Sequence, residues 1–506
     1  MRLRGLHGVA VVGLLVVALA AGCTDDKPAS GTMQVTGDHD ASGGVDSGGQ
    51  DARVEDVVED VAGDVAEDAV GDATVGDAAV ADADASQDTG YDVLTRGDTG
   101  DVGEEVGPTI AEQCFGDINT ESTRGPQYDT FEPTVGTHCA GTNQQDIRGV
   151  GKVVFFGDSV TQGTPNDLHP LCVDHDHFYR NLLAEWLATR FGLDRGSDLD
   201  WGAWKSYSCL YDGVPGRVES GDFKNCSKWG ARTDDFLGDV SCGGRGADEA
   251  RCCAECCHGG VCQPDGRCVR AAGTAANDDF CGADKQIFQC LPEGASEAPT
   301  LFIFTMGGND IAAITQDGAV FTSDTPEGAA EINAGYPSMW ALATSTVDYL
   351  EEAVRFLKDP ARFPNGSWVV FANPFEFTDG TGDVSACSPT SINIPGIGPL
   401  DISALGLNIA EIGGFGAWER PEVQEEIVIW ITEQYLRIAV ELEADMVWML
   451  EHFCGHGYVA AGAHPDTTNR CFRADDPSLW FDISCIHPND LGHEAIFRLF
   501  QDVIRE

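Results

Sequence analysis

Basic residues are scarce in this chain of 506 residues: 30 lysines and arginines face 83 aspartates and glutamates, a formal net charge of −53. Such a polyanion excludes nucleic acid as a partner, because binding phosphates needs clustered cations. Tryptophan and phenylalanine are missing altogether between Thr24 and Glu112, which removes the means of building a core there. That stretch instead cycles through Asp, Ala, Val and Gly, with 24 acids against 3 basic residues. So little apolar surface does not offset the entropy of ordering, and the segment is expected to stay a disordered, self-repelling spacer. It also lacks the spaced acids, central glycine and terminal glutamate of an EF-hand loop, so its carboxylates are not arranged for calcium. No long apolar segment able to serve as a lid is visible further on.

What is present begins with Arg2 and Arg4, an apolar run from Val9 to Ala21, and small residues just before Cys23. This is the layout of a secretory signal over residues 1–22, and it is too short for a comfortable membrane span. Leu19-Ala20-Ala21-Gly22-Cys23 resembles a bacterial lipobox, whose cysteine is diacylated and becomes the mature amino terminus. The expected organisation is therefore a lipid anchor at Cys23, an acidic linker over residues 23–112 and a folded domain over 113–506. Its expected place is a bacterial envelope, at the outer membrane or cell surface, with secretion as the alternative.

Nineteen cysteines less Cys23 leave an even number, and an exported protein meets an oxidising compartment, so disulfides are expected. The densest cluster, Cys242, Cys252, Cys253, Cys256, Cys257, Cys262, Cys268, Cys281 and Cys290, marks an insertion over residues 242–290. Vicinal cysteines beside Gly259-Gly260 and Asp265-Gly266 turns fit a disulfide-stapled loop structure better than a zinc site. The insertion either shapes the rim of a site or decorates the surface.

The chemistry is carried by strings that follow apolar runs. Lys152 to Phe156 reads as a buried parallel strand, and Gly157-Asp158-Ser159-Val160-Thr161-Gln162-Gly163 comes directly after it. Ser159 is thereby placed past the carboxyl end of a strand, where open α/β sheets bind ligands. Residues 299–306 read as a second strand, followed by Gly307-Gly308-Asn309-Asp310, whose Asn amide can donate to an oxyanion. Between them, Gly230 offers a bare backbone N–H. Cys485-Ile486-His487-Pro488-Asn489 supplies a late histidine able to take a proton from Ser159.

In this order the four strings resemble the SGNH or GDSL hydrolase superfamily, over roughly residues 149–506. The resemblance implies an α/β fold, a flavodoxin-like three-layer α/β/α sandwich with a parallel sheet of about five strands. It implies ester hydrolysis with no metal and no organic cofactor. Ser159 becomes the nucleophile, His487 the base, and Gly230, Asn309 and the Ser159 backbone the oxyanion hole. The family places an aspartate three residues before the histidine, but Ser484 stands there, and the nearest upstream acid is Asp482. Either the loop bends so that Asp482 reaches the ring, or a backbone carbonyl near Ser484 orients it.

The remainder alternates in the same manner. Helices are expected over Asp176–Phe191, Met339–Leu357, Pro421–Glu443 and Leu491–Ile504, with strands over Ser367–Ala372 and Met446–Leu450. Asn373-Pro374-Phe375-Glu376 and Glu451-His452-Phe453-Cys454-Gly455-His456-Gly457 each come after a strand and are placed to line the site. His452 and His456 have a metal-like spacing, but Gly455 and Gly457 break a helix there and favour a structural or substrate contact. Trp201, Trp204 and Tyr207 are either a sugar platform or core packing. The leading reading is a serine esterase acting on O-acetylated carbohydrate or short-chain esters. A lipid or phospholipid acyl hydrolase is the alternative, and an envelope adhesion protein on the same fold is the alternative of another class. In a host that processes lipoproteins, Cys23→Ser should abolish incorporation of a fatty-acid label and release the protein from membranes; an unmutated protein that takes up no label and fractionates as soluble removes the anchor.

Overall fold

The computed structural model of the protein describes residues 107–116, 118, 125–163, 177–206, 219–237, 260–262, 268–270, 286–291, 296–387, 391–394, 398–401, 414–482 and 484–505. The signal, Cys23, the acidic linker up to residue 106, Tyr207 and most of the insertion, including Cys242, Cys252, Cys253, Cys256, Cys257 and Cys281, lie outside the described residues.

In chain order the elements are α1 (Ile110–Phe115), β1 (Lys152–Gly157), α2 (Ser159–Gln162), α3 (Tyr179–Phe191), α4 (Asp198–Lys205), β2 (Glu219–Ser220), β3 (Phe223–Asn225), β4 (Gly260–Cys262), β5 (Cys268–Arg270), α5 (Gln286–Cys290) and β6 (Thr300–Thr305). Next come α6 (Gly308–Ala319), α7 (Pro326–Asn333), α8 (Pro337–Leu357), β7 (Ser367–Ala372), β8 (Ser391–Ile394), β9 (Gly398–Asp401), α9 (Pro421–Glu441), β10 (Asp445–Val447), α10 (Met449–Phe453), α11 (Tyr458–Ala461) and α12 (Asp490–Arg505). Among the described residues, no helix is long and apolar enough to cross a membrane.

Six strands form the main sheet in the order β10-β7-β6-β1-β3-β2. Five run parallel, and the two-residue β2 pairs antiparallel to β3 at one edge. One row of the register crosses it from Asn225 through Phe155, Ile303 and Val370 to Asp445. Alternation along β1, β6 and β7 divides their apolar side chains between two cores, as the twofold period of a strand requires. Val154, Phe156, Phe302, Phe304, Val369 and Phe371 pack with Leu350 and Val354 of α8 and Ile427 and Ile431 of α9. Val153, Phe155, Leu301, Ile303 and Val370 pack with Leu183 and Leu187 of α3 and Phe500 and Val503 of α12. Both faces are covered, so these strands read as continuous apolar runs.

The strand expected over Met446–Leu450 is shorter than its apolar pattern. Asn373 Oδ1 accepts from Met449 N (2.5 Å) and Leu450 N (3.1 Å), which satisfies the first free N–H groups of α10 and turns the chain into helix. The helix expected from Asp176 begins at Tyr179, and the one expected to Glu443 ends at Glu441. Trp201 and Trp204 are core residues, stacked on each other at 4.9 Å and packed edge-on against Phe223. They offer no open sugar platform.

The edge strand β10 is tied to the segment before β1 by one buried acid. Asp445 accepts from Thr142 Oγ1 (2.9 Å), Gln144 N (2.6 Å) and Gln145 Nε2 (3.0 Å). Asp445→Ala leaves these donors facing a cavity, and a loss of about 3 kcal/mol is expected from unmet buried hydrogen bonds. Urea unfolding checks this; a midpoint unchanged from the parent would mean that water replaces the carboxylate at no cost.

Candidate active site

β1 ends at Gly157, where the backbone takes φ +123° and a Cβ would lie 2.4 Å from Thr305 O. Only glycine fits this approach. The next residue, Asp158, accepts from Val160 N at 3.0 Å and so caps the single-turn helix α2, whose first residue is Ser159. Asp158 Oδ1 also accepts from Thr305 Oγ1 at 3.0 Å, which ties the turn to β6. On the other flank, Gly157 N donates to Gln286 Oε1 (2.8 Å) and Gly157 O accepts from Gln286 Nε2 (2.9 Å). The turn that carries Ser159 is thus held from both sides of β1.

His487 reaches Ser159 from the loop before α12, with Ser159 Oγ 2.8 Å from His487 Nε2. The loop is braced by Cys387–Cys485, and Cys485 holds φ +67°, in the left-handed region. At the other ring nitrogen stands Ser484, its Oγ 2.9 Å from His487 Nδ1. The Ser484 hydroxyl in turn donates to Asp482 Oδ1 at 2.5 Å, and Ser484 N donates to the same oxygen at 2.8 Å. Neither sequence expectation for the third position describes this arrangement: the loop brings Asp482 behind Ser484, and a hydroxyl, instead of a carbonyl, meets the ring. An Asx turn causes this, because a carboxylate bonding the N–H two residues on also captures that residue's hydroxyl.

Asn309 opens α6, and its Nδ2 donates to Ala231 O at 2.9 Å. Its neighbour Asp310 accepts from Thr233 N and Thr233 Oγ1, both at 3.0 Å. The Gly230 loop and the start of α6 are therefore one unit, with Gly230 half-buried at φ +70°. Trp229 leans on His487, the ring centroids 5.2 Å apart, and its Nε1 donates to Gly163 O at 3.1 Å.

Ser159, His487 and Asn309 line a cavity of about 820 Å³, bounded on one side by Ile311, Ala312 and Val428 and on another by Phe375, Phe377 and Phe415. This is the size and character of a small-molecule site. The string Asn373-Pro374-Phe375-Glu376 lines it, whereas Gly230 does not. Glu451 also lines it, and its carboxyl is bonded to Tyr128 Oη and to Asn373 Nδ2. The string Glu451 to Gly457 is expected to line the site because it follows a strand, and Glu451 does so, whereas no periodicity or motif marks Tyr128 or Gln286, whose partners are distant in sequence. His452 Nε2 sits 3.1 Å from Cys139 O and His456 Nδ1 2.8 Å from Ser478 O, so each ring is engaged by a carbonyl.

Burial dominates the electrostatics. It lowers His487 to about 4, and raises Asp158 and Asp482 to about 7 and Glu451 to about 8. His487 is accordingly neutral at pH 7, with a ring nitrogen free to accept a proton.

No known family model matches the chain, and no curated protein is similar to it. Among solved structures it is similar to a gut microbial diltiazem-metabolizing enzyme, at 11% identity over 71% of this chain and 48% of that one, TM-score 0.32. The chain thus spans about half the length of that protein. It is similar to phospholipase A1 from Streptomyces albidoflavus NA297, at 12% identity over 70% and 98%, TM-score 0.33. It is similar, too, to an extracellular lipase from Streptomyces rimosus, at 13% over 70% and 99%, TM-score 0.29. Likeness this low says nothing about substrate.

The buried groups set a pH dependence of stability. Carboxyls raised in the folded state hold protons that the unfolded chain has already lost, so they favour folding less as pH rises toward 8. His456, His487 and His493, lowered to about 4, 4 and 3, act oppositely: below the ordinary histidine range the unfolded chain binds protons that these rings refuse. Thermal stability should therefore rise as pH falls from about 8 to about 6.5 and then level off or decline. Calorimetry across this range checks it; stability that climbs steadily from pH 6 to pH 8 contradicts the assignment.

Proposed function

We propose that the protein is a serine ester hydrolase of the SGNH or GDSL type, with Ser159 as nucleophile and His487 as general base. What carries the reading is the 2.8 Å contact of Ser159 Oγ with His487 Nε2, inside a cavity, at the carboxyl end of a parallel sheet. A flavodoxin-like three-layer arrangement is part of it, supported by the two cores on opposite faces of the sheet.

In this mechanism Ser159 Oγ attacks the ester carbonyl while its proton passes to His487 Nε2. Nε2 accepts only if the ring's proton is on Nδ1, and Ser484 fixes that tautomer by accepting from Nδ1–H while donating to Asp482. Asp482 then stabilises the imidazolium through the hydroxyl. Asn309 and the Ser159 N–H supply the oxyanion donors, and the Gly230 loop holds Asn309 in place through Ala231 O. The alcohol leaves with the proton from His487, and water repeats the sequence on the acyl-enzyme. No cofactor enters any step.

The aliphatic and aromatic lining around Ile311, Phe377 and Val428 favours an apolar acyl group, which brings the lipid alternative level with the short-chain reading. The chain acts at an envelope surface, tethered through Cys23 and its acidic spacer, with the ester substrate, glycan or lipid, as partner. An adhesion protein on this fold is separated by labelling with a fluorophosphonate, which reacts only with an activated serine.

The expected result is labelling and esterase activity in the parent and neither in Ser159→Ala. Ser484→Ala should lower kcat by roughly 10–10²-fold, short of the ~10⁴ that accompanies complete loss of tautomer control. Activity should rise with pH through about 7 as Asp482 ionises, well above the titration of His487. Ser484→Ala should remove that limb. A parent that fails to label, or a Ser484→Ala enzyme with unchanged kcat and pH profile, overturns the nucleophile or the relay respectively.

A further inference from the structure

We propose that Gln286 is a positioning residue for Ser159: its side-chain amide stands in for an absent strand residue at the end of β1 and so sets where the nucleophile lies. The proposal rests on the ester-hydrolase reading above.

The ladder between β1 and β3 stops one residue short of the nucleophile turn. Asn225 is opposite Phe155, and Cys226 N still donates to Phe155 O at 2.9 Å. There β3 leaves the sheet. Cys226 is bonded to Cys290, and the chain turns into the loop that carries Trp229 and Gly230. Strand alternation aims the N–H and C=O of Gly157 at this vacated side, since Asp158 N, one residue on, donates to Thr305 O of β6. Gly157 O recovers one bond from Lys228 N at 2.9 Å, and the N–H is left to a side chain. Gln286 closes the gap with an acceptor 2.8 Å from Gly157 N and a donor 2.9 Å from Gly157 O. A primary amide presents an acceptor and a donor on one edge, as a strand residue does to its partner, so the pair reproduces the doubly bonded pair of an antiparallel ladder.

The amide is itself held firmly. Gln286 is fully buried, Ile287 N donates to Phe236 O at 3.0 Å, and Cys290 is joined to Cys226. Lys224 Nζ adds a bond to Cys290 O at 3.0 Å. The exit of the cysteine-rich insertion is thus fastened beside Gly157, in the nucleophile turn. Because α2 is a single turn, any shift of Gly157 moves Ser159 Oγ relative to His487. A displacement of about 1 Å in such a pair costs on the order of 10²-fold in rate.

The test uses the full-length protein, a fluorophosphonate probe and a p-nitrophenyl ester. Gln286→Met keeps the length of the side chain and removes both bonds. The expected result is a fall of about 10²-fold in kcat and in the rate of phosphonylation, with KM within about twofold and the melting transition retained. Gln286→Glu reads the same contact by pH: ionised, it presents an anion to Gly157 O, whereas protonated it restores donor and acceptor together. Its kcat relative to the parent should therefore rise as pH falls.

Parental kcat and phosphonylation in Gln286→Met, or a loss confined to KM, overturns the proposal. If Gln286→Met does not fold, a Gln286→Glu to parent ratio that is constant with pH overturns it instead. A parent that is itself unlabelled sinks the hydrolase reading and this proposal with it, whereas a labelled parent beside an equally reactive Gln286→Met sinks the positioning role alone.

Discussion

Where the strands of the parallel sheet stop, their backbone N–H and C=O groups must still be paired, and the site is made of the side chains that do so. Gln286 completes Gly157, and Asn373 accepts the first N–H groups of α10. Asp379 accepts from Gly455 N, Gly457 N and Ala460 N, which folds the chain leaving β10 onto the chain leaving β7. Buried backbone groups left unpaired cost about as much as a lost hydrogen bond each, so this edge is closely specified in spite of having little regular structure.

Exclusion of water explains the chemistry as well. Keeping solvent from the strand ends leaves Asp158, Asp482 and Glu451 in surroundings that resist ionisation, and keeps His487 neutral. A neutral histidine beside Ser159 is ready to accept a proton, and a hydroxyl between ring and carboxylate sets the Asp482 side chain one hydrogen bond further from the ring. Strength of orientation is traded for a longer relay.

Disulfides hold what the core cannot. Among the described residues, Cys226–Cys290 fixes the loop beside the Ser159 turn, Cys387–Cys485 fixes the loop that carries His487, and Cys454–Cys471 fixes the loop after β10. Each has an end in a loop, where chain entropy is the main opponent of order. Cys114–Cys139 does the same for the segment leading to β1.

The sequence by itself determined the strands read over 152–156, 299–306 and 367–372 and the long helices, because buried strands, capped helices and turn glycines are local signals, whereas the pairing of Ser159 with His487 was an expectation drawn from the order of four separate strings. It marked Asn309 for the same reason. Only the tertiary structure decided that α10 replaces the end of an apolar strand, that Ser484 lies between His487 and Asp482, that Trp201 and Trp204 are core, that Gln286 braces the turn before Ser159, and that the Glu451 carboxyl is bonded to Tyr128. Those facts depend on which unpaired group a side chain meets after the sheet has assembled. Gln286 lies 129 residues from Gly157 and Glu451 323 from Tyr128, so no window of sequence contains the partner that gives either residue its role.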